Sequence, residues 1–162
     1  MLDNSAEQLI QGLNILIVDA NAYMRRLTRM MLTNLGARQV IEASDGLAAL
    51  DLIRNADPDV MLLECDMPVL NGMEVMRIVR SPGVFPRPNL PIIMLTHLGY
   101  RAAVLEALRS GAHEFLVKPT SPKLLHDRLM SIVVKPRPML KVGTHYVPEP
   151  RSVAADELAM LI

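Results

Sequence analysis

Four short apolar runs punctuate the chain: Ile15-Leu16-Ile17-Val18, Val60-Met61-Leu62-Leu63, Ile92-Ile93-Met94-Leu95 and Phe115-Leu116-Val117. Each is too short for a helix and lacks polar alternation, which suits strands covered on both faces of a parallel sheet. Val40-Ile41 is a weaker fifth run and predicts an edge strand. Helical spacing fills the gaps. Met24, Leu27, Met31 and Leu35 recur at steps of three and four, and Gly36 then stops that helix. Leu47, Leu50 and Ile53 form a shorter stripe, as do Val75, Met76 and Val79, and Val104, Leu105 and Leu108. Ser121 caps a last helix with Pro122 in its first turn and Leu125, Leu129 and Ile132 on its buried face. Five βα units in strict alternation predict an α/β fold, a doubly wound parallel sheet with helices on both faces and right-handed crossovers.

The pattern divides the chain into a lead-in over residues 1–13, a domain over 14–134 and a Pro-rich extension over 135–162. Pro136, Pro138, Pro148 and Pro150 exclude continuous helix or central strand in that extension. Its last eleven residues predict a short helix with Leu158, Leu161 and Ile162 on one side.

The residue immediately after each apolar run is chemically selective. Asp19 comes after the first, Glu64 after the second, Thr96 after the third and Lys118 after the last. In an open α/β sheet, ligands bind outside the carboxyl ends of the strands. Two acids, a hydroxyl and a cation are therefore delivered to one edge. Polar residues also stand at strand ends simply because the chain surfaces there, but that explains a full quartet of this kind poorly.

The segments LNILIVDANAYMRRLTRMML, DPDVMLLECDMPVLNGMEVMRIVR, PIIMLTHLGYR and SGAHEFLVKP resemble the signature segments of response-regulator receiver domains, the chemotaxis regulator among them. The likeness runs from Asn14 to Val134. It implies a flavodoxin-like five-stranded sheet of order 2-1-3-4-5. It also implies Mg²⁺ held by acids after the first strand, and a phosphoryl group passed from a histidine kinase to an aspartate after the third. Asp19 matches the first metal acid, Thr96 the switch hydroxyl, Phe115 the switch aromatic, and Lys118 the ammonium that grips the phosphoryl oxygens. Pro119 stands where the family has a cis bond, and Met67-Pro68 with Asn71-Gly72 match the loop beside the acceptor.

Two departures fall at the reactive centre. Ala20 replaces the second metal acid, which weakens any site for a hard cation that wants six oxygen ligands. Asp66 sits where a backbone carbonyl normally helps hold the metal, so any metal would rest on Asp19 and Asp66. Glu64 replaces the phosphoacceptor aspartate, and its carboxylate reaches about 1.5 Å further. Three readings stay open. Glu64 pairs with Lys118 and imitates the phosphorylated state; the pocket is degenerate and the fold a scaffold; or Glu64 or Asp66 is itself a working phosphoacceptor.

Composition narrows the classes further. Seventeen basic residues balance seventeen acidic ones, so no net field directs the chain to nucleic acid or an anionic membrane. Two Phe, three Tyr and no Trp leave little to build a base-stacking platform. No apolar run approaches the ~20 residues that span a bilayer. MLDNSAEQLIQG has neither basic start nor apolar core, and Cys65 stands alone, so a cytoplasmic protein is expected. No Gly-rich phosphate loop comes after Val18, which disfavours a nucleotide enzyme. His113, His126 and His145 share no zinc spacing, and His97 and Cys65 read as an ordinary loop ring and an inert thiol. Arg25, Arg26 and Arg29 read as a solvated helix face. The expectation is a non-enzymatic signalling module. Its partners would be a histidine kinase, a phosphotransfer protein or a downstream signalling protein, with homodimerisation through the extension also expected.

Overall fold

Pairing of the apolar runs organises the computed structural model, which describes residues 4–83, 85–97 and 101–150. In chain order the elements are α1 (Asn4–Gln11), β1 (Asn14–Val18), α2 (Ala22–Asn34), β2 (Gln39–Ala43), α3 (Gly46–Ala56), β3 (Val60–Glu64) and α4 (Gly72–Arg80). They continue with β4 (Ile92–Thr96), α5 (Arg101–Arg109), β5 (Glu114–Val117), α6 (Pro122–Val134), β6 (Met139–Val142) and β7 (His145–Pro148). The five-stranded sheet has the order β2-β1-β3-β4-β5, and every pairing in it is parallel. Val40-Ile41 is indeed on the edge strand.

Because successive strand residues face opposite sides, each strand feeds two cores. Leu16, Val18, Met61, Leu63 and Met94 pack with residues of α3, α4 and α5 on one face. Ile15, Ile17, Leu62, Ile93 and Leu95 pack with residues of α1, α2 and α6 on the other. Side chains such as Leu16, Leu62 and Ile93 have no exposed surface, and each contributes about 1.5–3 kcal/mol of burial. Caps fix where the helices start: Asn21, Asp45, Asn71 and Ser121 each accept a backbone N–H three residues on.

Several expectations are corrected. The lead-in holds a helix, α1, which packs on α6 and buries Ile10. Leu47, expected on the buried stripe of α3, is 62% exposed, and the helix buries Ala49, Leu50 and Ile53 instead. On α2 the fully buried positions are Thr28 and Leu32, with Met24, Leu27, Met31 and Leu35 only half-buried beside them. The extension is not merely an extended arm. Pro138 and Pro148 bracket an antiparallel hairpin of β6 and β7, turned by Gly143 at φ +62°. Missing N–H groups are tolerated at the margins of a two-stranded ribbon. The expected helix with Leu158, Leu161 and Ile162 lies outside the described residues.

Candidate functional site

Parallel register aligns the carboxyl ends of β1, β3, β4 and β5. Val18 pairs with Leu63, Glu64 with Leu95, and Thr96 with Val117. Asp19, Glu64, Thr96 and Lys118 thus share one edge, as their positions after the apolar runs predict. A cleft of about 430 Å³ opens there, lined by Asp19, Ala20, Glu64, Asp66, His97 and Lys118 among others. A second hollow of about 500 Å³ lies at the opposite edge beside Pro136–Met139, away from this chemistry.

The centre of the cleft is an ion triad. The Lys118 ammonium contacts both Oδ2 of Asp19 and Oε2 of Glu64. All three side chains are nearly buried, Asp19 at 5% and Glu64 at 3% exposure. Among the described residues, Glu64 Oε2 has no donor besides this ammonium. The remaining oxygens are held by the backbone: the Asn21 N–H donates to Asp19 Oδ1 at 2.9 Å and the Asp66 N–H to Glu64 Oε1 at 3.0 Å. Burial pushes the Lys118 ammonium down, but the hydrogen bonds and charges of Asp19 and Glu64 outweigh it and raise its pKa above 10.5. The ammonium is therefore locked in its charged form.

Supporting residues explain the precision of this placement. Lys118 donates its backbone N–H to the Thr96 carbonyl at 2.8 Å, tying the ends of β4 and β5. A cis peptide follows between Lys118 and Pro119. Arg25, read from sequence as part of a solvated face, instead reaches back to donate to the Asp19 carbonyl at 2.6 Å. It also pairs with Glu42, as does Arg29. A basic residue early in a helix gives no sequence signal for that return. Phe115 is buried among the side chains of the α3–α5 face, at 4% exposure. Thr96 is buried at 1%. His97 is exposed at the cleft. Burial and then the Glu64 and Asp66 charges push the half-buried Cys65 thiol up, which keeps it protonated.

The donor set does not fit a divalent cation. Ala20 offers no oxygen, the Asp66 side chain is exposed, and the facing oxygens of Asp19 and Glu64 are taken by an ammonium. Among the described residues no three His, Cys, Asp or Glu side chains converge to hold a metal. No described helix is long and apolar enough to cross a membrane.

Comparison with known proteins gives the same picture as the geometry. Residues 15–130 match the sequence profile of the response regulator receiver domain. The chain is 36% identical over 122 residues to a chemotaxis protein CheY homolog of Campylobacter jejuni, covering 75% of this chain and 92% of that one. It is 37% identical over 118 residues to CheY1 of Helicobacter pylori, covering 72% and 94%. Among solved structures, a chain of the CheX–CheY–BeF3–Mg complex from Borrelia burgdorferi superposes with a TM-score of 0.69 at 29% identity, over 76% of this chain and 90% of that one. A putative response regulator from Chloroflexus aurantiacus gives 0.70 at 28% identity, over 76% and 98%. A five-stranded 2-1-3-4-5 sheet with two acids and a lysine at its carboxyl edge, carried on a matching sequence, places this chain in the response regulator receiver family.

Proposed function

We propose that the chain is an atypical receiver that signals through protein–protein contacts, with Glu64 standing in for a phosphorylated aspartate. The observation that carries this reading is the Lys118 ammonium shared between Asp19 and Glu64. In phosphoryl transfer, catalysis is almost entirely positioning and charge neutralisation by metal ions. Here the cation is a side chain and the acceptor position already holds a longer carboxylate against it. The buried Phe115 is consistent with a switch aromatic packed inward. The partners proposed are a histidine kinase, a phosphotransfer protein or a downstream signalling protein. Homodimerisation through residues 135–162 is a further proposal.

Incubation with acetyl phosphate and Mg²⁺, followed by intact mass measurement, tests the reading. Wild type is expected to stay unmodified, while the Ala20→Asp/Glu64→Asp double variant gains a phosphoryl group. An adduct on wild type that maps to Glu64 or Asp66 makes the chain a genuine phosphoacceptor regulator and sinks the proposal. Mimicry also requires Glu64→Gln to weaken partner binding; unchanged affinity would leave an inert scaffold.

A further inference from the structure

The loop from β3 to α4 holds Val69 at φ +68°. The Leu70 N–H reaches back to the Pro68 carbonyl at 2.8 Å, closing a three-residue turn around it. That turn is rare and strained, and a β-branched side chain is the least suited to its central position. The valine gains nothing inside the fold in return, since its side chain is 94% exposed. Leu70, next to it, lies against Gly46: a methyl group on Gly46 would fall 2.9 Å from Leu70 Cδ2. Leu47 follows Gly46 and is 62% exposed. Val69 and Leu47 are each the chain neighbour of a residue in this contact between the β3–α4 loop and the start of α3, and Pro68 is exposed with them. Pro68, Val69 and Leu47 are thus three exposed apolar residues on the two sides of that contact, beyond the carboxyl ends of β2 and β3.

The charged residues of the two chain segments that carry these apolar side chains are all acidic. Asp45 precedes Leu47 by two residues, and Asp51 follows it by one helical turn; both are exposed. Exposed Asp66 and half-buried Glu74 flank Val69 along the chain. Residues 41–53 and 62–76 contain no Lys, Arg or His. A second copy would bring the same acids against these and be repelled. A partner with Lys or Arg bordering an apolar stripe is complementary.

We propose that Pro68, Val69 and Leu47 form a docking patch for a basic amphipathic helix of another protein, with Val69 as the inserted anchor. The patch stands whether or not Glu64 accepts a phosphoryl group, because none of its side chains belongs to the triad. Its loop nonetheless adjoins the triad, since the Asp66 N–H holds Glu64 and the Gly72 N–H holds the Cys65 carbonyl.

Titration of the ¹⁵N-labelled full chain with a synthetic helix of leucine on one face and lysine on the other tests this. Amide shifts are expected at residues 45–51 and 66–70. Val69→Gly is expected to weaken binding about tenfold, the loss of one buried valine side chain, with a Tm equal to or above wild type because glycine relieves the turn. Leu47→Ser is expected to weaken binding as well. The proposal fails if Val69→Gly binds as wild type does, or if a leucine–glutamate helix binds as tightly. It also fails if the shifts centre on α5, β5 and α6, or if wild type self-associates through Val69 in sedimentation.

Discussion

Gly72 begins α4 against the backbone of Glu64: a Cβ there would stand 3.0 Å from the Glu64 carbonyl carbon and 2.9 Å from Cys65 Cα. Both obstacles are backbone, so neither can swing aside. Gly72→Ala should cost about 1–3 kcal/mol, in the range of forced overpacking. It should also displace the carboxylate from Lys118. Thermal unfolding reads the first effect, and the Lys118 Nζ resonance reads the second.

Removing Lys118 leaves two buried carboxylates facing each other. Lys118→Met should cost about 3–5 kcal/mol, the penalty for breaking a buried pair from one side. Adding Glu64→Gln should recover part of it, because the two losses share one interaction. A denaturant series on the single and double variants measures both.

The pH dependence of that contribution has a definite sign. Because Asp19 and Glu64 raise the ammonium pKa above 10.5, the folded state binds the proton more tightly than the unfolded state. The contribution is then complete below the unfolded value and is lost as pH climbs through the folded one. The stability gap between wild type and Lys118→Met should stay constant through neutral pH and narrow only in strongly alkaline buffer. Melting curves collected from pH 7 upward show whether it does.

Arg80 has no exposed surface and, among the described residues, no carboxylate partner. Its Nε donates to the Gly111 carbonyl at 3.0 Å and its Nη1 to the Pro88 carbonyl at 2.8 Å, while Nη2 lies 3.2 Å from His113 Nδ1. Burial pushes the guanidinium down to about 9, which still leaves it charged at neutral pH. Arg80→Met should cost about 3 kcal/mol through the two carbonyls left without that donor. Arg80→Lys should fail to restore it, having no planar fork to reach both. Chemical denaturation distinguishes the variants.

Cys65 should alkylate more slowly than a free cysteine at pH 8, since burial and the neighbouring acids disfavour its thiolate. Glu64→Gln removes one of those charges and should speed the reaction. Iodoacetamide labelling followed by mass measurement checks the order.

Much of this was legible in the residues themselves. Apolar runs without polar alternation mark β1, β3, β4 and β5, because strands buried on both faces have no polar side to show. Asp19, Glu64, Thr96 and Lys118 are legible for a related reason: each comes immediately after its run, so parallel pairing must collect them. Leu47 misleads because a helical stripe records periodicity but not where the neighbouring element stops covering it. Arg25 is missed because a long side chain can reach backward as easily as outward. The β6–β7 hairpin hides behind four prolines, although Gly143-Thr144 between Val142 and His145 is a two-residue turn signal. Ile10 is the one buried residue among the described side chains of the two-turn α1, too short a stripe to stand out.

The Arg137 guanidinium donates to the His113 carbonyl and lies 3.9 Å from Glu114, which opens β5. Lys118 comes just beyond the far end of that same strand. A fragment trimmed to the boundaries its relatives share would cut this tether, freeing the foot of the ribbon whose tip holds the ammonium. Measurements made on such a shortened form would describe a looser molecule than the whole chain.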